Sequence, residues 1–151
     1  MSVLPSISAI IEPEKVNKIM DSIDSAESIL ITTHVSPDGD AIGSSLALYH
    51  YIKNRGKRVR LIVPNSFPYY LRWMDGVNEI DVFEYNPIAG QTIIKNSDLI
   101  FSLDYNICKR VGDMCPYIEA SSAIKILIDH HPNPGNTFDI CVSKPEISST
   151  S

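Results

Sequence analysis

Ile124-Lys125-Ile126-Leu127-Ile128-Asp129-His130-His131-Pro132 joins a β-branched, largely apolar run to three ligand-capable side chains and a proline. A run of this kind reads as a buried strand of a parallel sheet. In open α/β sheets the chemistry lies just past the carboxyl ends of the strands. Asp129, His130 and His131 stand at such an end.

Two other strand patterns end in the same way. Ser28 to Thr33, centred on Ile29, Leu30 and Ile31, runs into His34-Val35-Ser36-Pro37-Asp38-Gly39-Asp40, a loop of turn residues. Asp98 to Leu103 runs into Asp104. Helical spacing predicts helices over Pro13 to Ala26 and Ala41 to Asn54, with Gly56 as the stop of the second. Further strands are expected over Lys57 to Val63, Ile80 to Phe83 and Asp139 to Val142. A weak helix is expected over Ala89 to Asn96, a loop or short turn of helix over Asn106 to Gly112, and one more helical turn over Pro116 to Ser121. The aromatic stretch Phe67 to Asp75 reads as a short helix or turn. Its rings are expected in core or lid packing rather than as a base-stacking platform. Strands alternating with helices define an α/β fold with a mainly parallel sheet.

Length and composition bound the function. The 151 residues suit one domain with a sizeable core. Hydrophobic content of 44% and charged content of 21% are ordinary for a globular protein. No apolar run reaches membrane-spanning length, and Met1 to Ile11 lacks the basic start and cleavage-like end of a leader. Three cysteines, Cys108, Cys115 and Cys141, are odd in number and form no C-x-x-C pair. This argues against a disulfide framework or a thiolate zinc site, and for a cytoplasmic location. A net charge of -5 disfavours a surface that wraps duplex nucleic acid, while leaving room for a short oligonucleotide or nucleotide held through metal ions.

Pooled, the strand ends offer Asp38, Asp40, Asp104 and Asp129 with His34, His130 and His131. Carboxylate and imidazole without thiolate suit Mn²⁺, Mg²⁺, Fe²⁺ or Zn²⁺. The ligand number exceeds what one ion needs, so two ions are expected if the strands are neighbours. Two ions are a known arrangement for phosphoester hydrolysis, activating a water and holding phosphoryl oxygens. The amino end of the helix after Asp40 could add amide donors to a phosphate. Each residue also has an ordinary role. Asp38-Gly39 is a turn signature, Asp40 is a ready helix cap, and Asp104 could simply end a strand. His50 lies mid-helix and reads as structural. Arg110 reads as solvent-facing unless it reaches a substrate phosphate.

These motifs, His34-Val-Ser-Pro-Asp38-Gly-Asp40-Ala-Ile-Gly-Ser, Leu-Asp104 and Ile-Asp129-His130-His131-Pro, resemble the DHH phosphoesterase superfamily in residue and order. The nearest type is the bacterial bifunctional oligoribonuclease and phosphoadenosine-phosphate phosphatase. The resemblance implies a parallel sheet with helices on both faces and two Mn²⁺ ions. It implies that His34, Asp38 and Asp104 hold one ion, and Asp40, Asp104 and His130 the other, with Asp104 bridging. It further implies that His131 contacts the scissile phosphate or acts as an acid, that Asp129 orients the histidines, and that Arg110 binds substrate. The implied substrates are short single-stranded RNA or a nucleotide phosphate, and a homodimer is compatible with the family. Residues 1–151 then correspond to the N-terminal domain, cut short before a fourth motif and a C-terminal substrate-binding domain. Rival readings are an inorganic pyrophosphatase, a single-strand exonuclease, and a catalytically incomplete nucleotide-sensing or regulatory domain. A plain nucleotide-binding domain is disfavoured, because the chain has no G-x-x-x-x-G-K or G-x-G-x-x-G loop.

Overall fold

The computed structural model describes residues 10–151. Residues 1–9, most of the stretch read as lacking a leader, lie outside them. Helix α1 (Pro13–Ser25) leads into β1 (Ile29–Thr32), α2 (Gly39–Asn54) and β2 (Val59–Val63). Then come β3 (Ile80–Val82), α3 (Pro87–Asn96), β4 (Leu99–Leu103), α4 (Cys115–Ala120), β5 (Ile124–Asp129) and β6 (Ile140–Ser143). The six strands form one sheet in the order β3-β2-β1-β4-β5-β6, and every pairing is parallel. Among the described residues no helix is long and apolar enough to cross a membrane.

Alternation along the strands divides the core in two, because successive side chains leave opposite faces of a sheet. Ile29, Ile31, Leu61, Val63, Leu99 and Phe101 join Ile23 of α1 and Ile42, Leu46 and Ile52 of α2 in one cluster. Leu30, Ile62 and Ile100 join Ile94 of α3, Ile118 of α4 and the Cys108–Met114 turn in the other. Helices therefore cover both faces. All residues of β1 and β4, the two central strands, are buried. Each fully buried Ile or Leu of these clusters contributes about 1.5–3 kcal/mol.

Chain order explains the site. The chain builds β1, β2 and β3 outward in one direction, then returns to place β4 on the other side of β1. The gap between the carboxyl ends of β1 and β4 is the topological switch point, where the connecting loops diverge and leave a crevice. The loop after β1 is the His34–Asp40 stretch, and the residue after β4 is Asp104.

Two local expectations are corrected. Helix α2 starts at Gly39 rather than Ala41, and its cap is Asp38, whose Oδ1 accepts from the Ala41 N–H at 3.0 Å. Asp40 is not the cap. An Asp two residues earlier meets the same free amides, and Gly39 at the first helical position costs less than Gly in mid-helix. The second correction concerns the aromatics. Phe67 packs on the core, but Tyr69, Tyr70 and Trp73 are 82%, 69% and 79% exposed. The segment holds a 3₁₀ turn over Tyr69–Leu71, with Trp73 in the irregular turn that follows.

Candidate metal centre

Sheet register brings the three strand ends level. Thr32 pairs with Ser102, so two residues further His34 lies beside Asp104. Leu103 pairs with Ile128, so one residue further Asp104 lies beside Asp129. The Asp104 N–H continues this ladder to the Ile128 carbonyl at 3.2 Å. Asp104 itself has φ 62, in the left-handed region that few residues other than glycine adopt. A short polar side chain tolerates it at a cost of about 1–3 kcal/mol, held here by contacts on every side.

Asp104 is 2% exposed and forms the centre of the cluster. Its Oδ2 lies 3.3 Å from His34 Nε2, and its Oδ1 lies 3.1 Å from His130 Nε2. Asp38 Oδ1 stands 3.9 Å from His34 Nε2 on the first side. Asp40 Oδ2 stands 3.4 Å from His130 Nε2 on the second. The two oxygens of one carboxylate thus face two separate groups of ligand atoms. His34, Asp38 and Asp104 present ligand atoms within 4.8 Å of one another, and so do Asp104, Asp129, His130 and His131. Asp40 falls outside both groupings, although it touches His130.

The protonation pattern of His34 is informative. Its Nδ1 lies 2.8 Å from the Val35 carbonyl, which can only accept, so Nδ1 carries the hydrogen. A neutral ring then aims the Nε2 lone pair at two carboxylates. Such a point calls for a proton or a cation. The hydrogen bond to Asp104 raises the His34 pKa above the usual 6.5, with burial opposing it and the Val35 contact assisting. Burial pushes the Asp40 carboxyl up, but amide donations from Thr150 and Ser151 outweigh this and hold it below its usual range.

Asp129 is 2% exposed, and its Oδ1 accepts from His131 Nδ1 at 2.7 Å. Its Oδ2 is buried with no hydrogen-bond partner. A buried, unpaired carboxylate oxygen is expensive, and a nearby cation would offset that cost. The rings of His130 and His131 lie 4.6 Å apart. Nitrogen and oxygen donors at these separations, with no thiolate among them, fit hard or borderline divalent ions.

Arg110 is half-buried. Its backbone carbonyl accepts from the Val35 N–H at 2.7 Å, tying the turn after β4 to the His34 loop. His50 Nε2 lies 2.9 Å from the Asp75 carbonyl, well away from this cluster in sequence and in partners. A third group, Cys108, Cys115 and Glu119, also brings ligand atoms within 4.8 Å. Burial raises both thiols and keeps them protonated, so this group serves packing.

The residue that sequence reasoning missed is Thr150. Its Oγ1 donates to Asp104 Oδ1 at 3.0 Å, and its N–H donates to Asp40 Oδ2 at 2.9 Å. The Ser151 N–H donates to Asp40 Oδ1 at 2.9 Å. Thr150 and Asp40 are 110 residues apart, and a Ser/Thr run carries no local sign of such a partner.

Comparison with known proteins follows the same residues. The model of the DHH family, N-terminal domain, matches residues 28–151. The chain is 42% identical over 62 residues to the bifunctional oligoribonuclease and PAP phosphatase NrnA of Thermus thermophilus, covering 40% of this chain and 18% of that protein. It is 30% identical over 124 residues to the protein of the same name from Mycoplasma genitalium, covering 78% of this chain and 35% of that one. The crystal structure of an exopolyphosphatase-related protein from Bacteroides fragilis superposes with a TM-score of 0.92 at 42% identity, covering 93% of this chain and 42% of that one. The chain thus spans about a third or less of the curated relatives it matches.

Proposed function

Because the chain belongs to the DHH family, we propose that it is a metal-dependent phosphoesterase domain. Its substrates in this reading are phosphodiesters of short oligoribonucleotides and the 3′-phosphate of phosphoadenosine phosphate, met in the cytoplasm. The observation that carries the reading is the divided carboxylate of Asp104, with His34 on one oxygen and His130 on the other.

In this reading His34, Asp38 and Asp104 hold one divalent ion, and Asp40, Asp104 and His130 hold a second; Mn²⁺ suits the mixed donor set, and Mg²⁺ is the alternative. Bound ions would supply Lewis acidity to phosphoryl oxygens and a lowered pKa for an attacking water. The protein's own residues do the rest. Val35 holds the hydrogen on His34 Nδ1, so Nε2 is the ligand atom. Thr150 and Ser151 hold Asp40 ionised and oriented. Asp129 holds the hydrogen on His131 Nδ1, which leaves Nε2 to contact the scissile phosphate. When protonated, that Nε2 can pass a proton to the leaving oxygen. Arg110, beside the His34 loop, is the side chain proposed to meet a substrate phosphate.

A second reading is supported by the exopolyphosphatase-related neighbour, whose name points to inorganic phosphoanhydrides. The net charge of -5 weighs against it, because a polyanion without a base gains from a denser basic lining. The deciding experiment offers a longer version of the protein, extended through the fourth motif that the resemblance implies, a two- to five-nucleotide RNA, phosphoadenosine phosphate and pyrophosphate with Mn²⁺. Release of mononucleotide or 3′-phosphate is expected. Hydrolysis of pyrophosphate alone would overturn the substrate assignment.

A further inference from the structure

The chain after β6 touches each strand end of the candidate centre in turn. The Ser143 hydroxyl donates to the His131 carbonyl at 3.1 Å, and the Lys144 N–H donates to the Asp129 carbonyl at 3.0 Å. The Lys144 ammonium meets Glu12 Oε1 at 3.3 Å, at the start of α1. A turn closed by the Ile147 N–H on the Lys144 carbonyl follows, and the chain then reaches Asp104 and Asp40 through Thr150.

Thr150 donates to two ligand carboxylates at once. Its N–H reaches Asp40 Oδ2 at 2.9 Å and Oδ1 at 3.1 Å, while its hydroxyl reaches Asp104 Oδ1 at 3.0 Å. Two carboxylates in one crevice repel, and each gains by turning toward water. One residue with a donor for each holds them facing His130. The result is a close set of ligand atoms, with Asp104 Oδ1 and Asp40 Oδ2 at 3.1 and 3.4 Å from His130 Nε2. Adjoining ligand atoms about 2.1 Å from an octahedral ion stand about 3 Å apart. This group is therefore already set near an ion's own spacing, so less ordering remains to be met when the ion enters.

The other group has no such support. Asp38 Oδ1 stands 3.9 Å from His34 Nε2, and its side chain is 63% exposed against 19% for Asp40. Among the described residues, the segment after β6 makes no hydrogen bond to His34 or Asp38. Asp104 Oδ2 keeps its contact with His34 whatever Thr150 does at Oδ1.

We propose that Thr150 is a positioning residue for one ion of the two: it sets Asp40 and Asp104 Oδ1 for the ion held with His130, and leaves the ion held by His34 and Asp38 unaffected. This deepens the phosphoesterase reading and rests on it for the two ions.

Calorimetric titration of Mn²⁺ into the longer version of the protein, extended through the fourth motif, separates the two groups. Asp38→Asn, which can still cap α2, weakens the His34 side and leaves the His130 side; Asp40→Asn does the reverse. Added to Asp38→Asn, Thr150→Val is expected to weaken the remaining ion about 10- to 100-fold, as loss of an outer hydrogen-bond partner does. Added to Asp40→Asn, it should leave affinity within about twofold, because the altered groups share no partner. Thr150→Ser keeps both donors and should restore the affinity lost in the Asp38→Asn background. Equal weakening in both backgrounds overturns the proposal, since a merely structural loss loosens both groups. Thr150→Val binding as tightly as its parent also overturns it, as does Thr150→Ser binding as weakly as Thr150→Val. If the expected affinities hold and the protein loaded with both ions leaves bis-p-nitrophenyl phosphate intact, the phosphoesterase reading falls and the positioning role stands.

Discussion

The two halves of the sheet edge are built from the same parts and do opposite things. The ends of β1, β4 and β5 carry His34, Asp104 and Asp129, all nearly buried, their charges facing one another. The end of β2 leads to Pro64 and then to the exposed rings of Tyr69, Tyr70 and Trp73. Strand order accounts for the difference. Loops diverge at the switch point between β1 and β4 and leave a gap that only compact polar groups line. Over β2 and β3 the connection stays on the rim. The half at the switch point collects charge, and the half beside it presents apolar surface.

Breaking the first half should have the largest effect. Asp104→Ala removes the carboxylate shared by both ligand groups, so Mn²⁺ binding by calorimetry should vanish at both positions. Activity should fall by at least about 10²-fold, more than the loss of an outer partner brings. Unchanged Mn²⁺ binding in that variant would sink the two-ion assignment.

A change in the second half should spare the candidate metal centre. A Cβ on Gly90 of α3 would lie 2.4 Å from Phe83 Cδ2. Gly90→Ala should therefore destabilise the fold by about 1–3 kcal/mol in urea unfolding, as overpacking does. Its Mn²⁺ affinity at low denaturant should match that of the parent chain. A drop in affinity would mean that the two halves are coupled.

Titration sharpens the contrast further. His34 has its pKa raised by the hydrogen bond to Asp104. In the metal-free protein this contact stabilises fully below the unfolded imidazole value and is lost as pH rises through the folded one. A divalent ion must displace the same proton, so Mn²⁺ affinity should rise about tenfold per pH unit for that proton and level off above the folded pKa. Because that pKa lies above 6.5, the rise should continue past pH 6.5. An affinity already flat at pH 6 would remove His34 from the ligand set.

The smallest effects separate the Thr150 contact from the exposed rings. Thr150→Val removes the donor to Asp104 Oδ1 and should cost about 0.5–1.5 kcal/mol. Tyr70→Ala, at an exposed position, should stay within about 0.5 kcal/mol in the same unfolding assay. Equal losses in both would indicate that the rings are packed in solution.

Much of this was legible residue by residue. The apolar runs of β1, β4 and β5, each halted by Asp or His, identify a buried parallel sheet and its functional edge, because strand burial and ligand chemistry are properties of local composition. The resemblance to the DHH family adds the roles proposed for these residues. Asp38 and Asp40 were harder to tell apart. Both can cap, and only the path of the chain shows Asp38 accepting from Ala41 while Asp40 turns to Thr150. Composition alone assigns the rings of Tyr69, Tyr70 and Trp73 to packing, and only the path of the chain shows them exposed.

What local composition established, then, is which side chains stand at strand ends and what ions they suit. What folding alone decided is that β1 lies next to β4 and β4 next to β5, in a register that sets His34, Asp104 and Asp129 level. Neighbours and register come from packing both sheet faces against helices distant in sequence, and the contact of Thr150 with Asp40 likewise joins residues 110 apart. No short stretch encodes such contacts, because their energy exists only once both partners have been brought together.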